Sequence, residues 1–258
     1  MNSAILLCIA VILFIILGIL LKIHRQQMEF FENKDGKVYV PKIIHQTAPA
    51  NKKMWPETWN ICQKSWKKHF PEPEYKHIMW NDTDLKDFVR KNFPGFYKTY
   101  RGYKKNIKRI DMARYLILYK MGGIYADMDF YCNKNFYNKV NVPQVSIVES
   151  PYKYNEDIQN SLMASPVGPS YWMDVLKEAK KRRRVRNVLS ATGPRLISDV
   201  YKKNRKAVNV LPFKYYNPKI ESKDFKSKDN VTRHYLTSVW TRNGYGKSKR
   251  DLLFKKKE

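Results

Sequence analysis

The stretch from Asn106 to Asp129 constrains this chain more than any other. Ile107, Ile110, Leu118 and Met121 recur at helical spacing, Gly122-Gly123 stops the pattern, and Ile124-Tyr125-Ala126 reads as a short strand running into Asp127-Met128-Asp129. Glycine suits a helix C-terminus because it adopts backbone angles that residues with a Cβ avoid. A helix leading directly into a strand is the repeating half of an α/β domain, and such domains gather ligands at the carboxyl ends of their strands. The acidic pair sits at such an end.

Elsewhere the chain alternates helical and extended patterns. Val38 to Gln46 is β-branched and apolar and closes on the polar His45-Gln46, as a first strand would. Thr58–Lys68 carries Trp59, Cys62 and Trp66 at helical spacing, and Tyr75–Trp80 reads as a second strand. Asp84–Phe93 reads as an amphipathic helix with Leu85, Phe88 and Val89 inward; Val145–Glu149 is a further strand and Tyr171–Arg183 a further helix. The expectation is an α/β domain with a mostly parallel central sheet. With 258 residues, 43% of them apolar and 14% aromatic, the chain can bury a real core and is too apolar to stay disordered.

The N-terminus adds a second expectation. Ala4 to Leu21 is uninterrupted apolar sequence, at about eighteen residues long enough to span a bilayer as a helix. No basic residue precedes it and no small-x-small site follows, which favours a retained anchor over a cleaved signal peptide. Residues 1–21 are therefore read as a single-pass transmembrane anchor, 22–37 as a polar stalk and 38–258 as the catalytic domain. Lys22 and Arg25 flank only the C-terminal side of the run, which by the positive-inside tendency would keep the body cytosolic. Orientation is left open. Cys62 and Cys132 are the only cysteines beyond the run and form no CxxC pair, so two free thiols are expected, with a single bridge as the alternative in an oxidising compartment.

Asp127 and Asp129 carry the chemistry. Two carboxylates at i and i+2 at a strand end project to one side and make a hard-oxygen site for a divalent cation that holds a diphosphate. The chain supplies its own control at Asp82-Thr83-Asp84, where an acidic pair of the same spacing opens a helix and reads as an N-cap. No helix follows Asp127 and Asp129. Asp111 and Arg114 share a face of the most apolar helix of the chain, where charged groups rarely lack a partner or ligand.

RIDMARYLILYKMGGIYADMDFYC, from Arg109 to Cys132, resembles the signature of glycosyltransferase family 32, the DXD sugar-binding group. PKIIHQT (Pro41–Thr47) resembles the family's opening strand and HIMWND (His77–Asp82) its second, while NSLMASPVGP (Asn160–Pro169) and Thr192-Gly193-Pro194 look like further landmarks. The resemblance implies a GT-A-like fold that binds a nucleotide-diphosphate sugar, a Mn2+ or Mg2+ cofactor, and retention of anomeric configuration. It implies a UDP- or GDP-sugar donor, a hexose as the group transferred, a glycan or glycolipid acceptor, and a membrane of the secretory pathway. Position by position, Ile44, His45 and Gln46 would line the nucleotide pocket. Asp111 and Arg114 would hold the donor sugar and diphosphate, and Asn160 would contact substrate. Asp129 would be the direct metal ligand, with Asp127 beside it near the ribose or sugar.

One segment departs from the pattern. His234 and Trp240 match a family His and Trp in spacing, but Val239 stands where the family shows Ser, with Ser238 one residue early. His234 remains a candidate metal ligand and Trp240 a candidate to close over the leaving diphosphate, each against a purely structural role.

The net charge of +27 draws the chain to phosphate in any form, whether nucleic acid, anionic headgroups or a nucleotide, without choosing among them. The run Lys180–Arg186 could be a nucleic-acid patch, but it closes a helix whose C-terminal dipole favours cations, so a solvated end or a headgroup contact is the expectation. Three rival readings are a basic nucleic-acid-binding protein, a metal-dependent phosphotransferase or nuclease, and a non-catalytic protein with a degenerate transferase fold. The first lacks a recognisable binding motif and the second lacks grouped ligands for two metals. No nucleic-acid partner is expected. Asn81-Asp82-Thr83 and Asn230-Val231-Thr232 fit the glycosylation pattern, which chance often produces.

Overall fold

Pro41 has no N–H to donate to a sheet ladder, and among the described residues the first strand starts after it. In the computed structural model, which describes residues 39–152 and 156–237 and the single residue Gly18, β1 is Ile43–Thr47. Then come α1 (Glu57–His69), β2 (Lys76–Trp80), α2 (Asp82–Asn92), α3 (Pro94–Gly102), α4 (Asn106–Met121), β3 (Gly123–Ala126), β4 (Phe130–Cys132) and α5 (Tyr137–Val140). The chain continues through β5 (Val145–Glu149), β6 (Ile158–Ser165), α6 (Ser170–Lys181), α7 (Val188–Ala191), α8 (Pro194–Lys203), β7 (Val208–Leu211), α9 (Phe213–Tyr216) and β8 (Thr232–His234). These elements belong to the unit that begins at Val40. The expected anchor at 1–21 and stalk at 22–37 lie outside the described residues apart from Gly18. Among the described residues no helix is long and apolar enough to cross a membrane.

The main sheet has the order β2-β1-β3-β6-β5-β7. β1 runs parallel to β2 and β3, and β5 parallel to β7, while β6 is antiparallel to both its neighbours. The mostly parallel sheet expected from the sequence is present. The exception has a local cause: only the short loop between Glu149 and Ile158 joins β5 to β6, and a parallel return needs a crossover of a dozen residues or more. A second, two-stranded sheet pairs β4 with β8.

Side chains alternate across a strand, so each strand feeds two cores. Tyr125, Ile147 and Met163 face a cluster completed by Met112, Leu116, Ile117 and Trp172. Their neighbours Ile124, Val148, Leu162 and Ala164 face another, with Trp66, Phe70, Phe130 and Phe136. A sheet covered on both faces has apolar residues facing both ways, as in Ile124-Tyr125-Ala126 and Leu162-Met163-Ala164.

The helix α4 differs from its sequence reading. Ile107, Ile110 and Met121 are half-buried, and the fully buried side is Met112, Ala113, Tyr115, Leu116 and Ile117, together with Asp111 and Arg114. The helix is covered on nearly every side, so its sequence carries no single apolar stripe. Its stop is sharply defined. Gly122 and Gly123 have φ of 63° and 91°, and a Cβ on Gly123 would lie 2.6 Å from the Ile43 carbonyl oxygen. The glycines let β3 leave the helix pressed against β1.

At α2 the cap lies one residue earlier than the acidic pair suggests. The Asn81 side chain accepts from the amides of Thr83 and Asp84, and Asp84 accepts from the Asn81 amide, a capping box. Asp82 instead accepts both hydrogen bonds from the Asn106 amide, at 2.9 and 3.1 Å. Cys62 and Cys132 are buried free thiols. Asn230 is 1% exposed and donates to the carbonyls of Asp224 and Phe225, so its glycosylation pattern is inaccessible in the fold.

Candidate active site

The end of β3 builds the site. The Asp127 amide still pairs with the Ser161 carbonyl of β6, after which a tight turn carries the chain into β4. Asp127 and Asp129 both face one cavity of about 850 Å³. The intervening Met128 also reaches it while packing among Ala48, Trp55 and Trp59.

Asp127 is held by α4 and β3. Its Oδ1 lies 3.1 Å from Arg114 Nη1 and accepts from the Tyr125 hydroxyl at 3.0 Å. The same hydroxyl meets Thr47 Oγ1 at 2.9 Å, tying the acid to the end of β1. Arg114 also donates to the Asn160 carbonyl at 2.6 Å, lies 3.4 Å from Asp111 Oδ1, and sits over the Tyr125 ring. Both oxygens of Asp111 are engaged, Oδ1 by the Asn160 amide and Oδ2 by the Thr192 hydroxyl, each at 3.0 Å. This buried network joins α4, β3, β6 and the loop after α7.

The electrostatics follow from burial. Desolvation pushes the Asp127 and Asp111 carboxyls above their ordinary range, against the pull of Arg114 on each. Burial also opposes the Arg114 charge, but Asp127, Tyr125 and Asp111 together more than restore it. Asp129 goes the other way. Burial alone would raise it, yet the His234 ring and the Thr237 hydroxyl and amide outweigh that and hold it down to about 2.

Asp129 is the best-positioned acid. Its Oδ2 accepts from the Thr237 amide at 2.7 Å and the Thr237 hydroxyl at 2.8 Å, and its carbonyl accepts from the Tyr235 amide. His234 Nε2 stands 3.2 Å from Asp129 Oδ1, placed there because β8 pairs with β4 opposite Phe130, on which the imidazole stacks. Asp127, Asp129 and His234 each offer one ligand atom, all within 4.8 Å of one another. His234 Nδ1 is buried without a hydrogen-bond partner among the described residues. Two carboxylates and an imidazole form a donor set that fits a divalent cation such as Mn2+.

The expectation for the end of β1 requires correction. Ile44, His45 and Gln46 are buried within the strand and do not line the cavity; the residues that do are Thr47, Ala48 and Pro49. The strand runs on to Thr47, so the polar pair read as its end lies between two neighbouring strands. His45 instead holds the fold together, since its Nε2 meets the Gly122 carbonyl at 3.0 Å and its Nδ1 accepts from the Trp80 indole at 3.2 Å. Asn160 lines the cavity with its amide shared between Asp111 and the Tyr115 hydroxyl. Trp240 lies outside the described residues. Thr237 and Tyr115 lie inside quoted segments but nothing singles them out there, since both act through contacts distant along the chain. Thr192 has one signal, its place beside Gly193-Pro194.

The sequence profile described as "Glycosyltransferase sugar-binding region containing DXD motif" matches residues 56–149. The chain is 32% identical over 183 residues to an inositol phosphoceramide mannosyltransferase of Schizosaccharomyces pombe, covering 69% of this chain and 49% of that protein. It is 32% identical over 177 residues to a mannosyl phosphorylinositol ceramide synthase of Saccharomyces cerevisiae, covering 66% of this chain and 45% of that one. The chain thus spans about half the length of these relatives. Among solved structures it is similar to the PaToxG glycosyltransferase, with a TM-score of 0.51 at 19% identity over 65% of this chain and 71% of that one. The fold is that of the GT-A-like glycosyltransferases. The chain belongs to glycosyltransferase family 32, and the matched stretch contains Asp127-Met128-Asp129.

Proposed function

We propose that the chain transfers a hexose from a UDP- or GDP-linked donor to a glycan or glycolipid acceptor, with retention of configuration and with a divalent cation held by Asp129, Asp127 and His234. The observation that carries this reading is the convergence of those three side chains, from β3, the turn and β8, at one cavity. When bound, such a cation neutralises the charge that builds on a departing diphosphate. Asp129 is oriented for this by Thr237, which fixes Oδ2 and leaves Oδ1 toward His234. Arg114 fixes the orientation of Asp127 and keeps positive charge in the cavity floor. Its Nε is buried without a hydrogen-bond partner among the described residues.

The state of the cavity carboxylates supports retention. Asp82 is engaged by Asn106, Asp111 by Asn160 and Thr192, Asp127 by Arg114 and Asp129 by Thr237, while Glu156 lies 3.5 Å from Arg195. Four of these are tied by close contacts, and Glu156, whose Oε2 has no hydrogen-bond partner among the described residues, faces the Arg195 charge, which disfavours a dedicated base for direct inversion. Relatives named as mannosyltransferases make a mannosyl nucleotide the first donor to test. The apolar run 4–21 is proposed to anchor the chain in a secretory-pathway membrane, and retention in the pellet after a carbonate wash tests it.

The test is a panel of UDP- and GDP-sugars incubated with the full chain, with Mn2+ or excess chelator, scoring transfer or donor hydrolysis. Turnover of one donor that needs the cation and disappears in Asp129→Asn is expected. Full turnover in chelator, or by that variant, would overturn the assignment.

A further inference from the structure

The basic run after α6 is not uniform. Arg182 is an internal clamp: it contacts Glu178 Oε1 and Asp199 Oδ2 at 2.8 Å each and the Ser190 carbonyl at 3.1 Å. Beyond it the chain turns outward, and Arg183, Arg184, Val185 and Arg186 are all exposed, Val185 at 38%. Among the described residues none of these three arginines makes an ion pair. The tip is nonetheless anchored, since the Val185 amide closes a turn onto Arg182 and its carbonyl accepts from Lys108 Nζ of α4 at 2.6 Å. Lys108 is itself buried, so α4 commits a desolvated ammonium to holding this loop.

The position of the loop gives it meaning. Two residues past Arg186, Val188 and Leu189 line the cavity, as do Lys105 and Ile107 and Ile110 of α4. One edge of the cavity thus has an apolar lining that passes directly into an exposed, cationic tip with an aliphatic residue at its centre. A surface of dense negative charge over an apolar interior complements that pattern: arginines meet headgroup phosphates while the valine enters the acyl boundary. Double-stranded nucleic acid would match the charge but leave Val185 without a partner.

We propose that residues 183–186 dock the catalytic domain onto an anionic bilayer surface, setting the Val188–Leu189 edge of the cavity against the lipid. The docking follows from the loop itself; its purpose, presenting a membrane-borne acceptor to the cavity, rests on the transferase reading.

The test reconstitutes the full chain in vesicles of phosphatidylcholine alone, and in vesicles with about a third phosphatidylserine, and follows amide hydrogen exchange across residues 182–189. Several-fold slower exchange is expected in the anionic vesicles only, reversed by high salt. It should be lost in Arg183→Gln/Arg184→Gln/Arg186→Gln and reduced in Val185→Asp. Equal exchange in both lipids would overturn the proposal. So would protection by a short DNA duplex added to the neutral vesicles where phosphatidylserine gives none. Both variants should keep wild-type Mn2+-dependent nucleotide binding, so failure of docking is distinguishable from failure of the transferase reading.

Discussion

His45 makes the stability of this protein depend on pH in a way the structure fixes. The ring lies at 0% exposure between β2 and β3, and desolvation, with Lys76 adding to it, lowers its pKa from 6.5 to about 4 despite the hydrogen bond to Gly122. The two contacts define one neutral tautomer, in which Nε2–H donates to the Gly122 carbonyl and Nδ1 accepts from the Trp80 indole N–H. A second proton on Nδ1 would face that indole hydrogen and break the contact. The unfolded chain takes this proton near pH 6.5 while the folded chain resists it to about pH 4. The contribution of His45 is therefore fully present above pH 6.5 and is lost as the pH falls toward 4. At about 1.4 kcal/mol per pKa unit the loss is about 3 kcal/mol, a large fraction of the stability of an ordinary domain. The assay is urea unfolding of the full chain in mild detergent at half-unit steps from pH 7.5 to 4, for wild type and His45→Gln. The variant is expected to be weaker at pH 7.5 but to have a shallower acid slope, the two curves converging by about 3 kcal/mol at pH 4. Asp111 and Asp127 titrate in both proteins and cancel in the comparison. Parallel curves would show that His45 does not carry this acid sensitivity.

Two further outcomes follow from the buried network and the helix stop. Arg114→Leu should cost about 3–5 kcal/mol, because it leaves Asp111 and Asp127 buried without their cation, and the additional change Asp111→Asn should recover part of it; chemical denaturation of the single and double variants checks this. Gly123→Ala, which forces a Cβ to within 2.6 Å of the Ile43 oxygen at a φ of 91°, should prevent normal folding or lower the melting temperature by more than about 10 °C, whereas Gly95→Ala, with nothing within 4 Å, should shift it by only a few degrees.

The part of the site legible in the sequence is the part built locally. Asn106–Met121, the glycine pair and Asp127-Met128-Asp129 follow one another in the chain, and each announces itself by spacing or by a special backbone need. The third side chain of the cluster is harder to place from pattern. His234 comes to Asp129 only because the three-residue β8 pairs with β4, and Thr237 binds a carboxylate 108 residues away. No periodicity marks a strand of that length. The strand β6 escapes a reading by pattern because Ile158-Gln159-Asn160-Ser161 opens with polar residues, which serve the cavity network rather than solvent. The same ambiguity affects the end of β1: polar His45 and Gln46 look like a strand end, whereas the strand continues and His45 satisfies its polarity against a backbone carbonyl and an indole.

The proposed chemistry stands or falls with one assembly, in which Asp127, Asp129 and His234 hold a cation that in turn holds a nucleotide diphosphate. Calorimetric titration of UDP and GDP into the full chain, with and without Mn2+, probes that assembly without intermediaries, with Asp129→Asn as the paired protein. Saturable binding of one nucleotide that requires Mn2+ and vanishes in the variant is expected. Failure of both nucleotides to bind in the presence of Mn2+, or binding that is the same without the cation and in Asp129→Asn, would contradict it.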